Sequence, residues 1–431
     1  MTSGKQLWPV RVPPARGESL VSWFCRSSYA LGMEPKDLYR TAMPGCHLFS
    51  LDLDRHLYQP LIEALSRGTG IAPALIASLG FSQWAGSLFE RDDGRSTLPH
   101  LPALGSHSHR DRSFGQQICP SCVAEDQEPF LRLTWRLSFV TACQRHRRLL
   151  IDRCWQCGSS INPLLAGYRY GFTHCHRCGE RLDRAPVAKA NHDVLVFQRS
   201  ALHILKQGWA TLVPSSWIYA HSYFWILRKL FRLLSTGATS APLRFIVLEK
   251  LGADLHASST LPPQRDFEHF NPHGRASLIP LVAFLLTDWP STFISCCRGV
   301  GIHSWMLLKH EEQVPFAFWA PVTEKLNTPY RNFNQSELEA AKKYLKRRDK
   351  RPSVAQIRET IGTKLIGLED VSEQSECRKA HDEGRYWKLD GVSPHVRRAA
   401  KEAARREGAN IGPWVDQQLR SSLVRLRLLQ P

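Results

Sequence analysis

Apolar positions near the start of the chain recur every three or four residues. In "GESLVSWFCRSSYALG", Leu20, Trp23 and Phe24 form such a stripe, and Gly32 supplies a stop. Pro13 and Pro14 ahead of it require extended backbone. The stretch "LYQPLIEALSRGTGIAPALIASLGF" reads as helix, glycine-containing turn, helix, over Leu57–Leu65 and Ala72–Leu79. Such a pair is either a helix-turn-helix or two ordinary packed helices, and spacing alone does not choose. Residues 92–115 are polar and loop-like. Their His100, His107 and His109 lack paired ligand spacing, so they are expected to be solvated loop residues.

Further on, residues 186–330 alternate at a helical period. "SYFWILRKLFRLLS" interleaves apolar and basic positions. "RASLIPLVAFLLTDWPSTF" reads as a buried helix ending at Trp289-Pro290. Adjacent Cys296 and Cys297 have no partner pair and are expected to be buried thiols. From Asn334 the texture becomes polar: a helix, a basic break at Pro352, and a helix from Ser353 ending before Gly362. The pattern predicts a mainly α, multidomain chain. Its expected parts are an N-terminal helical domain at 1–115, a cysteine-rich segment at 116–185, a helical domain at 186–330, a second helix-turn-helix at 331–375, and a separate tail at 380–431.

The tail has its own punctuation. Arg385–Val392 reads as a strand with Tyr386 and Lys388 on one face and Trp387 and Leu389 on the other. Ser393-Pro394 is a helix start, and Gly408 a stop. Val396, Ala399, Ala400, Ala403 and Ala404 form the stripe between them. Asn410 then caps a second helix. This order resembles a ribbon-helix-helix module. The resemblance implies a dimer whose paired strands enter the major groove, with Tyr386 and Lys388 as base readers and the amides near Asn410 as a phosphate anchor. Asp390 departs from that pattern, because it puts negative charge on the DNA face. The alternatives are a helical hairpin capping the core and a protein-binding tail.

Charge sharpens this picture. The chain of 431 residues carries 57 Lys and Arg against 39 Asp and Glu, a net +18, which favours a polyanionic partner such as nucleic acid. Between Lys342 and Pro431 there are 21 basic and 12 acidic residues, so half of the excess lies in the last fifth. No run approaches the ~20 apolar residues of a membrane span. The opening "MTSGKQLWPVRVPP" has no apolar core of a secretory signal. A cytoplasmic location without membrane association is expected, and in that compartment paired cysteines favour metal over disulfides.

The pairs themselves are regular. Cys119-x-x-Cys122 is followed after twenty residues by Cys143-x-x-His146. Cys154-x-x-Cys157 is followed after seventeen by Cys175-x-x-Cys178. A two-residue gap lets a tight turn aim two side chains at one ion, and two such turns complete a tetrahedron. Each set offers four soft ligands, which suits zinc. Two structural Zn2+ sites are therefore expected, with no position left open for a catalytic water. His174 and His176 flank Cys175 as competing ligands, but the pair spacing favours the cysteines.

Three stretches together resemble the TniQ/TnsD family of transposon target-selection proteins. They are "GESLVSWFCRSSYALG", "CPSC…TWRLSFVTACQRHRRLLIDRCWQC…CHRCG" and "LLTDWPSTF". The resemblance spans roughly Trp8 to Phe293, and the cysteine segment is its most specific part. It implies a non-catalytic adaptor that binds target DNA, or a CRISPR effector complex already on DNA, and recruits an AAA+ transposition regulator of the TnsC/TniB kind. It also implies that the N-terminal helices form a helix-turn-helix and that some members dimerise. The chain has no G-x-x-x-x-G-K-[ST] loop and no G-x-S-x-G elbow, so neither a P-loop ATPase nor a hydrolase of that design is expected. The competing readings are a free-standing zinc-containing transcription regulator and a zinc-dependent nucleic-acid hydrolase.

Overall fold

Helix α1 (Leu20–Ala30) begins where the hydrophobic stripe begins. Ser19 caps it, its hydroxyl accepting from the Ser22 amide. Leu20, Val21, Trp23, Phe24 and Cys25 are all buried, so α1 lies in the core with more than one face covered. Gly32 follows in a left-handed conformation that ends the run. Three further helices surround it: α2 (Pro35–Ala42), α3 (Gln59–Thr69) and α4 (Pro73–Ala77). Gly70 is the left-handed cap between α3 and α4. The second helix of this pair is one short turn rather than the Ala72–Leu79 expected, because Ser78 already caps it and Gly80 follows.

The computed structural model describes residues 7–44, 52–92, 98–104, 114–213, 216–253, 267–309, 311, 313–326 and 335–347, then 353, 356–357, 360, 394–407, 414–415, 417–418 and 421–422. The chain divides into two compact units, Met1–Thr328 and Pro329–Pro431.

In the first unit one continuous hydrophobic core runs from Leu20 to Leu326. After α5 (Pro120–Glu125) come the short antiparallel strands β1 (Ala142–Cys143) and β2 (Arg148–Leu149). Next is α6 (His192–Gln207), ending at left-handed Gly208. The hairpin β3 (Trp209–Val213) and β4 (Ser216–Tyr219) leads into α7 (Ala220–Ser235). Helices α8 (Ser240–Leu251), α9 (Pro272–Leu286) and α10 (Ser291–Val300) follow, and α9 packs against α6, α7, α8 and α10. α9 ends at Thr287, just before the Trp289-Pro290 bond, as expected from the sequence. Cys296 and Cys297 are buried. The unit closes with α11 (Ser304–Leu308) and α12 (Phe316–Lys325). Among the described residues no single helix is long and apolar enough to cross a membrane. The bent pair α9–α10 passes such a test only jointly, and its apolar side chains sit in the core.

Two buried polar groups hold distant parts of this unit together. Arg136 is fully buried; its guanidinium donates to Asp52 at 2.5 Å, to Asp54 at 2.6 Å and to the Gly115 carbonyl at 3.0 Å. Asp54 in turn accepts from the Val21 amide at 2.8 Å, in the first turn of α1. A carboxylate there satisfies a free amide and meets the positive end of the helix dipole. Gln198 on α6 receives the Thr141 and Ala142 amides and donates to the Ala142 carbonyl, which fixes β1 to α6.

His100 corrects the sequence-based expectation of a solvated loop histidine. It is fully buried, and its Nε2 lies 2.9 Å from the Phe224 carbonyl. Phe139, Phe224 and Phe267 present their rings edge-on within 5.5–5.8 Å. Its burial was not readable locally, because the enclosing rings come from remote segments. His107 and His109 lie outside the described residues.

The second unit contains α13 (Gln335–Lys346), which buries Leu338 and Ala341. Ser353 and Gln356 form a reciprocal capping box: each backbone amide donates to the other's side chain, at 2.7 and 3.2 Å. That is the helix start expected after Pro352. Helix α14 (Pro394–Arg406) matches the expected alanine-striped helix, with Ala404 buried. Beyond it Trp414 donates to Glu407 at 2.7 Å. The expected strand Arg385–Val392, with Tyr386 and Lys388, and the cap Asn410 lie outside the described residues.

Candidate metal centres

Eight side chains converge in two groups of four. Within each, the potential ligand atoms of Cys119, Cys122, Cys143 and His146, or of Cys154, Cys157, Cys175 and Cys178, all lie within 4.8 Å of one another. The spacing rules out disulfides, whose sulfurs sit at about 2 Å. Cys122 Sγ is 3.6 Å from Cys143 Sγ, and His146 Nδ1 is 3.3–3.5 Å from the three sulfurs. In the second group Cys154 is 3.7 Å from Cys178, and Cys157 is 3.7 Å from Cys175. A regular tetrahedron with Zn–S of about 2.3 Å and Zn–N of about 2.0 Å has S···S edges near 3.8 Å and S···N edges near 3.5 Å. The observed edges agree. Both groups therefore fit a four-coordinate zinc ion, one S3N and one S4.

Local backbone explains how the ligands meet. Cys119 caps the N-terminus of α5, with Pro120 at the first helical position, so one helical turn brings Cys122 beside it. The other three pairs are tight turns of one design. In each, the amide after the second ligand position donates back to the first: Arg147 to Cys143 at 2.8 Å, Gly158 to Cys154 at 2.9 Å, Gly179 to Cys175 at 3.0 Å. The donating residue is left-handed every time, at φ 52°, 69° and 73°. Glycine adopts that conformation freely, whereas Arg147 holds it at a cost. The halves of the first site are then joined by reciprocal amide bonds between Ile118 and Ile151, at 2.8 and 3.0 Å.

The surroundings are built for a metal as well. His146 Nε2 lies 2.9 Å from the Glu125 carboxylate, which leaves Nδ1 facing the sulfurs. A carboxylate behind a ligating imidazole fixes its tautomer and raises its basicity. That contact holds Glu125 below the usual carboxylate range. The thiols of the first site titrate as a set. Hydrogen bonds with Cys119 and Cys122 hold Cys143 well below the ordinary thiol range, and those with Cys119 and Cys143 hold Cys122 well above it. In the second site the Arg177 amide donates to Cys175 Sγ at 3.4 Å. The flanking histidines look elsewhere: His174 Nδ1 is 2.8 Å from the Thr173 hydroxyl, and His176 Nε2 is 3.5 Å from that of Ser159.

Sequence reasoning named all eight residues that converge. It missed Glu125 and Gln198, which orient the first site without belonging to a ligand pair. Glu125 had a weak signal, three residues after Cys122 on the same helix turn; Gln198 had none.

No curated protein matches the chain. A family model described as TniQ matches residues 9–150, a stretch that runs from the lead-in to α1 through all four members of the S3N site and stops before the S4 site. Over that third of its length the chain carries a TniQ domain.

Proposed function

We propose that this protein is a non-catalytic adaptor that selects the target site in DNA transposition. It would bind target DNA, or a complex already seated on DNA such as a CRISPR effector, and recruit an AAA+ transposition regulator. The observation that carries this reading is the TniQ match over residues 9–150, which includes the whole S3N site. Four protein ligands per site leave no position for substrate or water, so zinc at both would act on folding rather than on chemistry. The net +18 charge supports a nucleic-acid partner and a place at the nucleoid in the cytoplasm. Helices α3 and α4 would serve as a helix-turn-helix, and the tail as a dimeric ribbon-helix-helix.

The test is capture of the AAA+ regulator encoded beside this protein, using the full zinc-loaded chain with and without target DNA. Capture that strengthens with DNA supports the adaptor. Absence of capture under both conditions, together with tight binding to a promoter-like site, would replace it with a free-standing transcription regulator.

A further inference from the structure

The hairpin β3–β4 lies outside the segment matched by the family model. Its register pairs Trp209 with Tyr219, Ala210 with Ile218 and Thr211 with Trp217. Side chains alternate along a strand, so these pairs sort onto two faces. Ala210 is buried and Ile218 half-buried on one face; Trp209, Thr211, Trp217 and Tyr219 share the other. The three aromatic residues there are 45%, 65% and 71% exposed. The Trp209 and Trp217 rings lie 6.5 Å apart and are inclined at 63°. A bare aromatic face of this kind marks a contact surface.

Charge selects the occupant. Between Val194 and Leu248 the chain has no Asp or Glu, but six Lys and Arg. Arg228 and Lys229 are engaged by Glu268 and Glu311. Arg199 and Lys206 on α6 are exposed and form no ion pair among the described residues. With exposed His203 they lie at helical spacing on one side of α6, a stripe about 10 Å long that ends three residues before Trp209.

We propose that the hairpin face and this side of α6 form a binding surface for single-stranded DNA. Unpaired bases stack on Trp209, Trp217 and Tyr219, and the phosphates lie along Arg199 and Lys206. The choice of DNA over RNA rests on the adaptor reading above. Base faces are hidden inside a duplex and open in a single strand, so the aromatic face distinguishes the two. Rings inclined at 63° cannot clamp one base between them; each takes a base on its own face, and binding is tolerant of sequence.

The experiment is fluorescence anisotropy of labelled oligo(dT), oligo(rU) and a duplex of equal length with the full zinc-loaded protein. Trp217→Ala and Tyr219→Ala are each expected to weaken oligo(dT) binding by about 5- to 100-fold, leaving duplex binding and the salt slope unchanged. Arg199→Ala with Lys206→Ala is expected to lower the log K against log salt slope by about 1.4. All four side chains are exposed, so zinc content and thermal midpoint should stay at wild-type values. The proposal is overturned if oligo(dT) binds no tighter than the duplex, or if the aromatic variants bind it as wild type does. Tighter binding of oligo(rU) overturns the choice of DNA. A variant that alters only oligomeric state or protein capture makes the face a protein interface and overturns the proposal. Loss of regulator capture with oligo(dT) binding intact would sink the adaptor reading alone; the reverse would sink this surface alone.

Discussion

The three tight turns of the metal centres allow a backbone effect to be measured almost free of packing. Gly158 and Gly179 sit at φ 69° and 73°, and a Cβ added at either would meet nothing within 4 Å. Alanine there therefore brings no clash, only the left-handed cost of about 1–2 kcal/mol. The stiffer unfolded chain returns about 0.5–1 kcal/mol of that. The net is about 1 kcal/mol per position. Where a site folds only around its metal, that energy is lost from metal affinity, about fivefold in Kd. Gly158→Ala and Gly179→Ala should each weaken the S4 site about fivefold and leave the S3N site alone. Asparagine, which tolerates this conformation, should recover most of the loss. Arg147 holds the equivalent position at φ 52°, so Arg147→Gly should leave the S3N site unchanged or tighten it by less than fivefold. Arg147→Val should weaken it most, because a β-branched residue resists that conformation. Competition with a chromophoric chelator gives the affinities, and cobalt in place of zinc separates S4 from S3N by its visible spectrum. Alanine at Gly158 with no effect, or with a loss beyond 100-fold, would refute the reasoning, as would an effect that landed on the other site.

Arg136→Met should cost about 3–5 kcal/mol, read as a lower thermal midpoint, since it strands Asp52 and Asp54 in the core without a cation. His100 supplies a pH test: burial lowers its pKa to about 4 from 6.5, so the unfolded chain binds the proton first, and stability attributable to His100 is full above pH 6.5 and falls as pH drops toward 4, by about 3 kcal/mol. Asp54 acts with the opposite sign, since burial raises it to about 6 from 3.8 and the folded state gains as pH falls through that window. His100→Leu should therefore turn a nearly flat wild-type profile of thermal midpoint between pH 4 and 6 into one that rises on acidification; parallel profiles would count against both assignments. Deleting the chain from Gly384 onward should weaken DNA binding and flatten its salt dependence, and an unchanged slope of log K against log salt would remove the tail as a DNA-binding module.

What could be read from the sequence divides by range. Ligand pairs two residues apart are local geometry, so the eight converging side chains were legible, as were the helix start at Ser353 and the glycine stop at Gly32. Arg136 was not: its partners Asp52 and Asp54 lie 84 and 82 positions away, and nothing in the sequence selects these three from the chain's other charges. His100 failed for the same reason, with rings from Phe139, Phe224 and Phe267 supplied by three remote segments. The aromatic face of the hairpin falls between. Alternation of Trp209 and Thr211, and of Trp217 and Tyr219, is visible in the sequence, but which face is bare depends on what α6 and α7 cover.

The S4 site lies outside the matched segment yet bears directly on it. The loop between its two ligand pairs reaches α1, where Tyr29 donates to the Ala166 carbonyl at 3.0 Å and meets the Phe172 ring edge-on at 5.8 Å. Cys25 Sγ lies 3.5 Å from the Pro163 carbonyl, and the Tyr168 amide donates to Glu34, the cap of α2, at 3.3 Å. Those contacts hold only while residues 163–172 keep their shape. That shape is pinned at both ends, by Cys157 on one side and Cys175 on the other. A metal in the S4 site would thus shorten the free span of this loop and fix the surface it lays over α1. Tyr168 and Tyr170, on the same loop, stay about half exposed. The matched N-terminal helices and the loop of the S4 site beyond them are in that sense one packed unit. Loss of the second metal should therefore be felt at α1, although α1 contributes no ligand.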